Sequence, residues 1–127
     1  MNKYLKYFQL YRYLRWLKSR KAFFEIGMKK PLIRKTTALG ECIIFGITSR
    51  KEYSMRYMQS YICEATTMYW IENCCKTNDV VWDIGANVGA YSLLLGKRIE
   101  SQSGKGSVFS FEPESSNFFS LNRNIQL

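Results

Sequence analysis

The stretch Val80-Val81-Trp82-Asp83-Ile84-Gly85-Ala86-Asn87-Val88-Gly89-Ala90-Tyr91-Ser92 decides how this chain is to be read. Val80 to Trp82 is a short apolar run of the kind found in a strand buried on both faces. It ends at Asp83, passes through Gly85 and Gly89, and gives way to a helix over Ala90 to Ile99, with Lys97 and Arg98 in the last turn where they complement the helix dipole. A loop from Ser101 to Gly106 leads into a second strand, Ser107 to Phe111, closed by Glu112-Pro113. Another helix is expected from about Ser115, with Phe118, Leu121 and Ile125 at helical spacing. Strand, glycine loop, helix, strand, acid and helix, in that order, form the opening of a doubly wound α/β sheet.

The loop has the chemistry of a nucleoside site. Gly85 and Gly89 carry no Cβ, so the turn can lie flat against a ligand. The helix opening near Gly89 turns free N–H groups and its positive dipole end toward that ligand. Glu112, at the end of the second strand, is placed to accept hydrogen bonds from a ribose diol and would repel a 2′-phosphate. Two cofactor classes compete. A dinucleotide fingerprint reads G-x-G-x-x-G, but here the loop is G-x-N-x-G, with the Asn87 side chain projecting where backbone would approach a pyrophosphate. Asp83, two residues before the first glycine, is awkward beside a pyrophosphate and useful beside a cationic amino-acid tail. The balance favours S-adenosylmethionine over NAD.

Working outward, residues 36–77 read as a lead-in layer that covers something larger. Glu41 to Ile47 is β-rich, and Ser49 with Glu52 makes a capping box for a helix running through Tyr53, Met55, Tyr57 and Met58 toward Tyr61. A second helical stretch spans Thr67 to Cys75, followed by the polar turn Lys76-Thr77-Asn78-Asp79. Upstream lies a basic aromatic arm, residues 1–35. Residues 3–26 read as a helix, with Tyr4, Tyr7, Phe8, Tyr11 and Leu14 on one face and Gly27 and Pro31 as punctuation.

The 127 residues carry 19 Lys+Arg and 10 Asp+Glu, a formal charge of +9. The imbalance belongs to the arm. Residues 1–35 hold eleven bases and only Glu25 as an acid, whereas residues 36–127 hold eight bases and nine acids. Interleaved bases and aromatics suit an anionic membrane surface or docking on the body of the protein, with nucleic acid the weakest expectation. The arm is broken by bases too often to span a bilayer. No histidine is present, which removes Ser–His–Asp and Cys–His catalysis and the commonest zinc ligand. Cys42, Cys63, Cys74 and Cys75 form no C-x-x-C pair, no metal site is expected, and the cysteines read as free, packing thiols of a cytoplasmic protein.

The run Asp83-Ile84-Gly85-Ala86-Asn87-Val88-Gly89-Ala90-Tyr91-Ser92, followed by Phe111-Glu112-Pro113 and by Asn117, Leu121 and Asn124, closely resembles the FkbM family of S-adenosylmethionine-dependent methyltransferases. Glu64, Thr67, Trp70 and Ile71 are similar to a lead-in segment that some members carry. The resemblance covers about residues 60–127 and leaves out the arm. It implies a Rossmann-like class I methyltransferase sheet over residues 78–127, preceded by the helical lead-in and the basic N-terminal helix. It also implies that Asp83, Gly85, Asn87 and Gly89 form the methionine-side loop and that Glu112 holds the ribose. Asn117 and Asn124 match family positions and also suit a helix start and a helix C-terminus.

The implied chemistry is methyl transfer to a hydroxyl of a sugar or polyketide-type natural product, so the expected partner is a small-molecule or glycan acceptor. No general base can be named. The sheet is expected to stop after its second strand–helix unit, which makes the chain an N-terminal fragment with little activity alone. Strand 107–111 would then lack a neighbour, and the helices would lack a covering layer. Alternatives are a non-catalytic binding or interaction protein that keeps a cofactor half-site, and, less favoured because of Asn87, a fragment of an NAD-linked oxidoreductase.

Overall fold

Leu32–Ala38 (β1) and Glu41–Ile47 (β2) pair antiparallel through the two-residue turn Leu39-Gly40. Both turn residues have positive φ, 48° and 83°, the type I′ combination whose twist matches the flanking strands. The computed structural model of the chain describes residues 31–57 and 59–127. The helix expected over residues 3–26 and most of the basic arm lie outside the described residues. The arm boundary drawn at residue 35 falls inside β1, because Leu32 to Lys35 pair with Ile47 to Ile44.

Beyond the hairpin come a π-helical turn, Glu52–Tyr57 (α1), a short helix, Ser60–Cys63 (α2), and a longer one, Ala65–Asn73 (α3). The expected capping box forms. Glu52 N donates to Ser49 Oγ at 3.0 Å, and Ser49 N donates back to Glu52 Oε2 at 3.3 Å. Over the span expected as a helix toward Tyr61, the described residues form two elements, α1 and α2, with Gln59 as a turn before α2.

Val80–Ile84 (β3), Ala90–Ser101 (α4), Ser107–Phe111 (β4) and Ser115–Ile125 (α5) follow in the expected order. β3 and β4 are parallel, in register Val80↔Ser107 to Ile84↔Phe111, and α4 is their crossover. The described chain is therefore a small α/β fold with one antiparallel and one parallel pair of strands.

α4 packs against β4 and β2, and α5 against β2, so the hairpin covers one side of these helices, while Phe118, Phe119 and Ile125 of α5 stay exposed, in line with the expected missing layer. Ile43, Phe45 and Ile47 of β2 share the buried core with Ile71, Val81, Val88, Leu94 and Leu95. The covering is missing elsewhere. Val81 is buried, whereas Val80, Trp82 and Ile84 on the opposite face are 64%, 66% and 71% exposed. The reading of this run as a strand buried on both faces is thus corrected: α4 covers one face, and Phe109 and Phe111 extend the open one. As expected, β4 has one strand neighbour among the described residues.

The cysteines are free, and the expected packing role holds for Cys75, which lies against the core, but is corrected for the other three. Cys42, Cys63 and Cys74 are exposed and only Cys75 is half-buried. Among the described residues, no helix is long and apolar enough to cross a membrane.

Candidate functional site

The loop after β3 folds back onto the end of β4. Gly85 N and Ala86 N both donate to Phe111 O, at 2.8 and 3.0 Å. The loop alternates in hand, with positive φ at Gly85 (79°), Asn87 (55°) and Gly89 (88°). Asparagine is among the few side-chain-bearing residues that enter this region readily, so Asn87 has a backbone reason for its place. Gly89 precedes the first turn of α4, whose N-terminus has no side-chain cap.

All five expected cofactor residues, Asp83, Gly85, Asn87, Gly89 and Glu112, gather at the C-terminal ends of the two parallel strands. Strand alternation puts Asp83 and Glu112 on the helix-covered side, in phase with Val81, Val108 and Ser110. Glu112 does more than wait for a ligand. Its Oε2 accepts from Asn87 N at 2.7 Å, and its Oε1 accepts from Glu114 N at 2.9 Å and from Asn117 Nδ2 at 3.4 Å. An ionised carboxylate has about four acceptor positions, so room for a hydroxyl donor remains.

The bond from Glu114 N, with those from Asn87 and Asn117, holds the Glu112 carboxyl below its ordinary range, against the opposing effects of burial and of the neighbouring Glu114 charge. Glu114 caps α5 by accepting from the Ser116 hydroxyl and from the Asn117 and Ser116 amides, and its carboxyl is lowered as well. Both groups therefore contribute stability that is complete above the usual glutamate pKa, about 4.3, and is lost as pH falls through their lowered folded-state values. Thermal melting followed from about pH 6 down to about pH 2 is expected to drop across that window, and Glu112→Gln to flatten the drop. An identical pH dependence in the variant would exclude the role given to Glu112.

Asp83 is held from α4. Ser92 Oγ donates to its Oδ2 at 2.5 Å, and Ser110 Oγ donates to Ser92 Oγ at 2.7 Å. The lead-in segment is braced over the start of the same helix. Tyr61 Oη donates to Ala90 O and Tyr91 Oη to Ser60 O, each at 2.7 Å, with the rings edge to face at 6.1 Å. Burial raises both phenols, which stay protonated as donors.

No family model matches the chain, and neither a curated protein nor a solved structure matches it.

A hollow of about 560 Å³ opens beside Asn87 between α1 and the start of α5, with Lys51, Arg56, Glu114 and Asn117 among its walls. Of the five expected residues only Asn87 lines it.

Several residues that organise the site were not assigned these roles in the sequence. Ser92 and Ser110 sit among apolar neighbours with no motif to mark them as a pair. Asn117 was expected to cap or brace its helix start; Glu114 is the cap, and the Asn117 side chain reaches Glu112. Asn124 suits a helix end by sequence, but it is buried and ties together β2, α5 and the glycine loop.

Proposed function

We propose that residues 78–127 form the first half of an S-adenosylmethionine site of the FkbM methyltransferase type, on a Rossmann-like sheet. The observation that carries this reading is the Asn87 N to Glu112 Oε2 hydrogen bond of 2.7 Å, which makes the glycine loop and the strand-end acid one unit. An adenosine needs the two together: flat, N–H-rich backbone on one side and a carboxylate for its diol on the other. The cofactor would supply a methyl group on a sulfonium. Held by Asp83, Gly85, Asn87, Gly89 and Glu112, it would offer that methyl to a sugar or natural-product hydroxyl, leaving the neutral thioether, with the hydroxyl proton lost to solvent. The residues named here bind and orient, and none is assigned to receive that proton.

The NAD reading is weaker because Asn87 puts a side chain where a pyrophosphate would meet backbone. Isothermal titration separates the two. S-adenosylmethionine is expected to bind saturably and NADH not to bind. Glu112→Gln is expected to weaken S-adenosylmethionine about tenfold, the effect of losing a charged acceptor for a hydroxyl. Saturable binding of NADH alone would overturn the proposal.

A further inference from the structure

Three side chains from three elements form one line: Asp83 at the end of β3, Ser92 in the first turn of α4, and Ser110 on β4, the register partner of Asp83. Their polarity is set by chemistry. An ionised carboxylate only accepts, so Ser92 must donate to it, and the lone pairs of Ser92 then receive the Ser110 proton. Ser92 is 6% exposed, so its hydroxyl is committed to this line in place of water. A serine in a helix commonly bonds back to its own backbone. Ser92 instead reaches across to β3 and fixes the Asp83 carboxylate.

The line holds Asp83 by Oδ2 alone. Among the described residues, no hydrogen bond to Oδ1 is present, which leaves that oxygen as an acceptor held at a fixed angle. By strand alternation the carboxylate lies on the same side of the sheet as Glu112.

We infer that Ser92 and Ser110 are positioning residues of the cofactor site, orienting Asp83 toward the cationic amino-acid end of the ligand while Glu112 serves its ribose. The inference rests on the S-adenosylmethionine reading and divides that ligand between two acids.

The test uses two ligands that differ only at the end in question. S-adenosylmethionine carries the amino-acid tail and the sulfonium charge; 5′-methylthioadenosine keeps the nucleoside and lacks both. Both are titrated calorimetrically into the full chain and its variants. Ser92→Ala is expected to weaken S-adenosylmethionine about tenfold while leaving methylthioadenosine within about twofold. Ser92→Thr, which keeps the hydroxyl, is expected to restore most of the loss. Ser110→Ala, one step further from the carboxylate and only half-buried, is expected to cost about threefold with the same selectivity, and it keeps the test open if Ser92→Ala fails to fold. Equal losses for both ligands, or unchanged S-adenosylmethionine binding in both alanine variants, would overturn the positioning role alone. A wild-type chain that binds neither ligand would overturn the proposed function and this inference with it.

Discussion

Replacing Asn124 with alanine is expected to lower the melting temperature by ten degrees or more. The side chain is 3% exposed and uses both ends of its amide. Its Oδ1 accepts from Gly46 N at 2.9 Å, and its Nδ2 donates to Val88 O at 2.8 Å. Gly46 and Val88 are both buried, so removal leaves a donor and an acceptor without water to replace the lost partner. Each such orphan costs about 1–3 kcal/mol, and about 3 kcal/mol in all is a large share of a small domain's stability. For about 100 residues, 1 kcal/mol moves the midpoint by roughly 4–8 °C. Asn124→Asp separates the two ends. The carboxylate can still accept from Gly46, yet it cannot donate to Val88 and must bury a charge, so it should fare no better than alanine. Thermal denaturation followed by circular dichroism reads all three proteins. A shift under about 2 °C for the alanine variant would show that the tie carries little load.

Gly89→Ala should be the second large loss, and Gly85→Ala should be mild. The two glycines have nearly the same backbone, φ 88° and 79°. A left-handed residue bearing a Cβ costs about 1–2 kcal/mol, and that cost applies to both. Their surroundings differ. A Cβ at Gly85 would meet nothing within 4 Å, whereas one at Gly89 would meet Leu121 Cδ1 at 2.6 Å. Leu121 is 2% exposed and has nowhere to swing, so crowding adds about 1–3 kcal/mol. Urea denaturation of the two variants isolates that packing contribution, because the backbone cost cancels in the comparison. Equal destabilisation would mean that α5 moves aside freely and that the contact between the loop and α5 is soft.

The elements legible from sequence are those whose signals are local. β3, the glycine loop, α4, β4 and α5 announce themselves by apolar runs, glycines and helical spacing within a few residues, and the capping box at Ser49 and Glu52 is read from a four-residue window. β1 was hidden by its own charge. Arg34 and Lys35 counted toward the basic arm, although the β-branched pair Thr36-Thr37 and the turn at Leu39-Gly40 were available as signals. The role of Asn124 could not be read, since its partner Gly46 lies 78 residues away. The burial of β3 on one face only was equally out of reach. A continuous apolar run says that a strand can be covered on both sides, and only the tertiary arrangement decides whether it is. Asp83 and Glu112 were legible as acids at strand ends, but the hydroxyls and amides that hold them come from elsewhere in the chain.

The open side of the parallel pair bears on how its strands stay aligned. In most sheets, sliding one strand by a residue exchanges a greasy side for a wet one, and that penalty fixes the alignment. Here the covered side of the pair carries Asp83 and Ser110, and the open side is apolar apart from Ser107, so oil against water is a weak judge of sliding. The clamps at the two ends do that work. At one end Gly106 N bonds Thr77 O and Ser107 N bonds Asp79 O; at the other, Gly85 and Ala86 share Phe111 O. The glycine loop is therefore also the stop that keeps β3 from slipping past β4, and whatever tightens that loop tightens the alignment of the sheet beneath it.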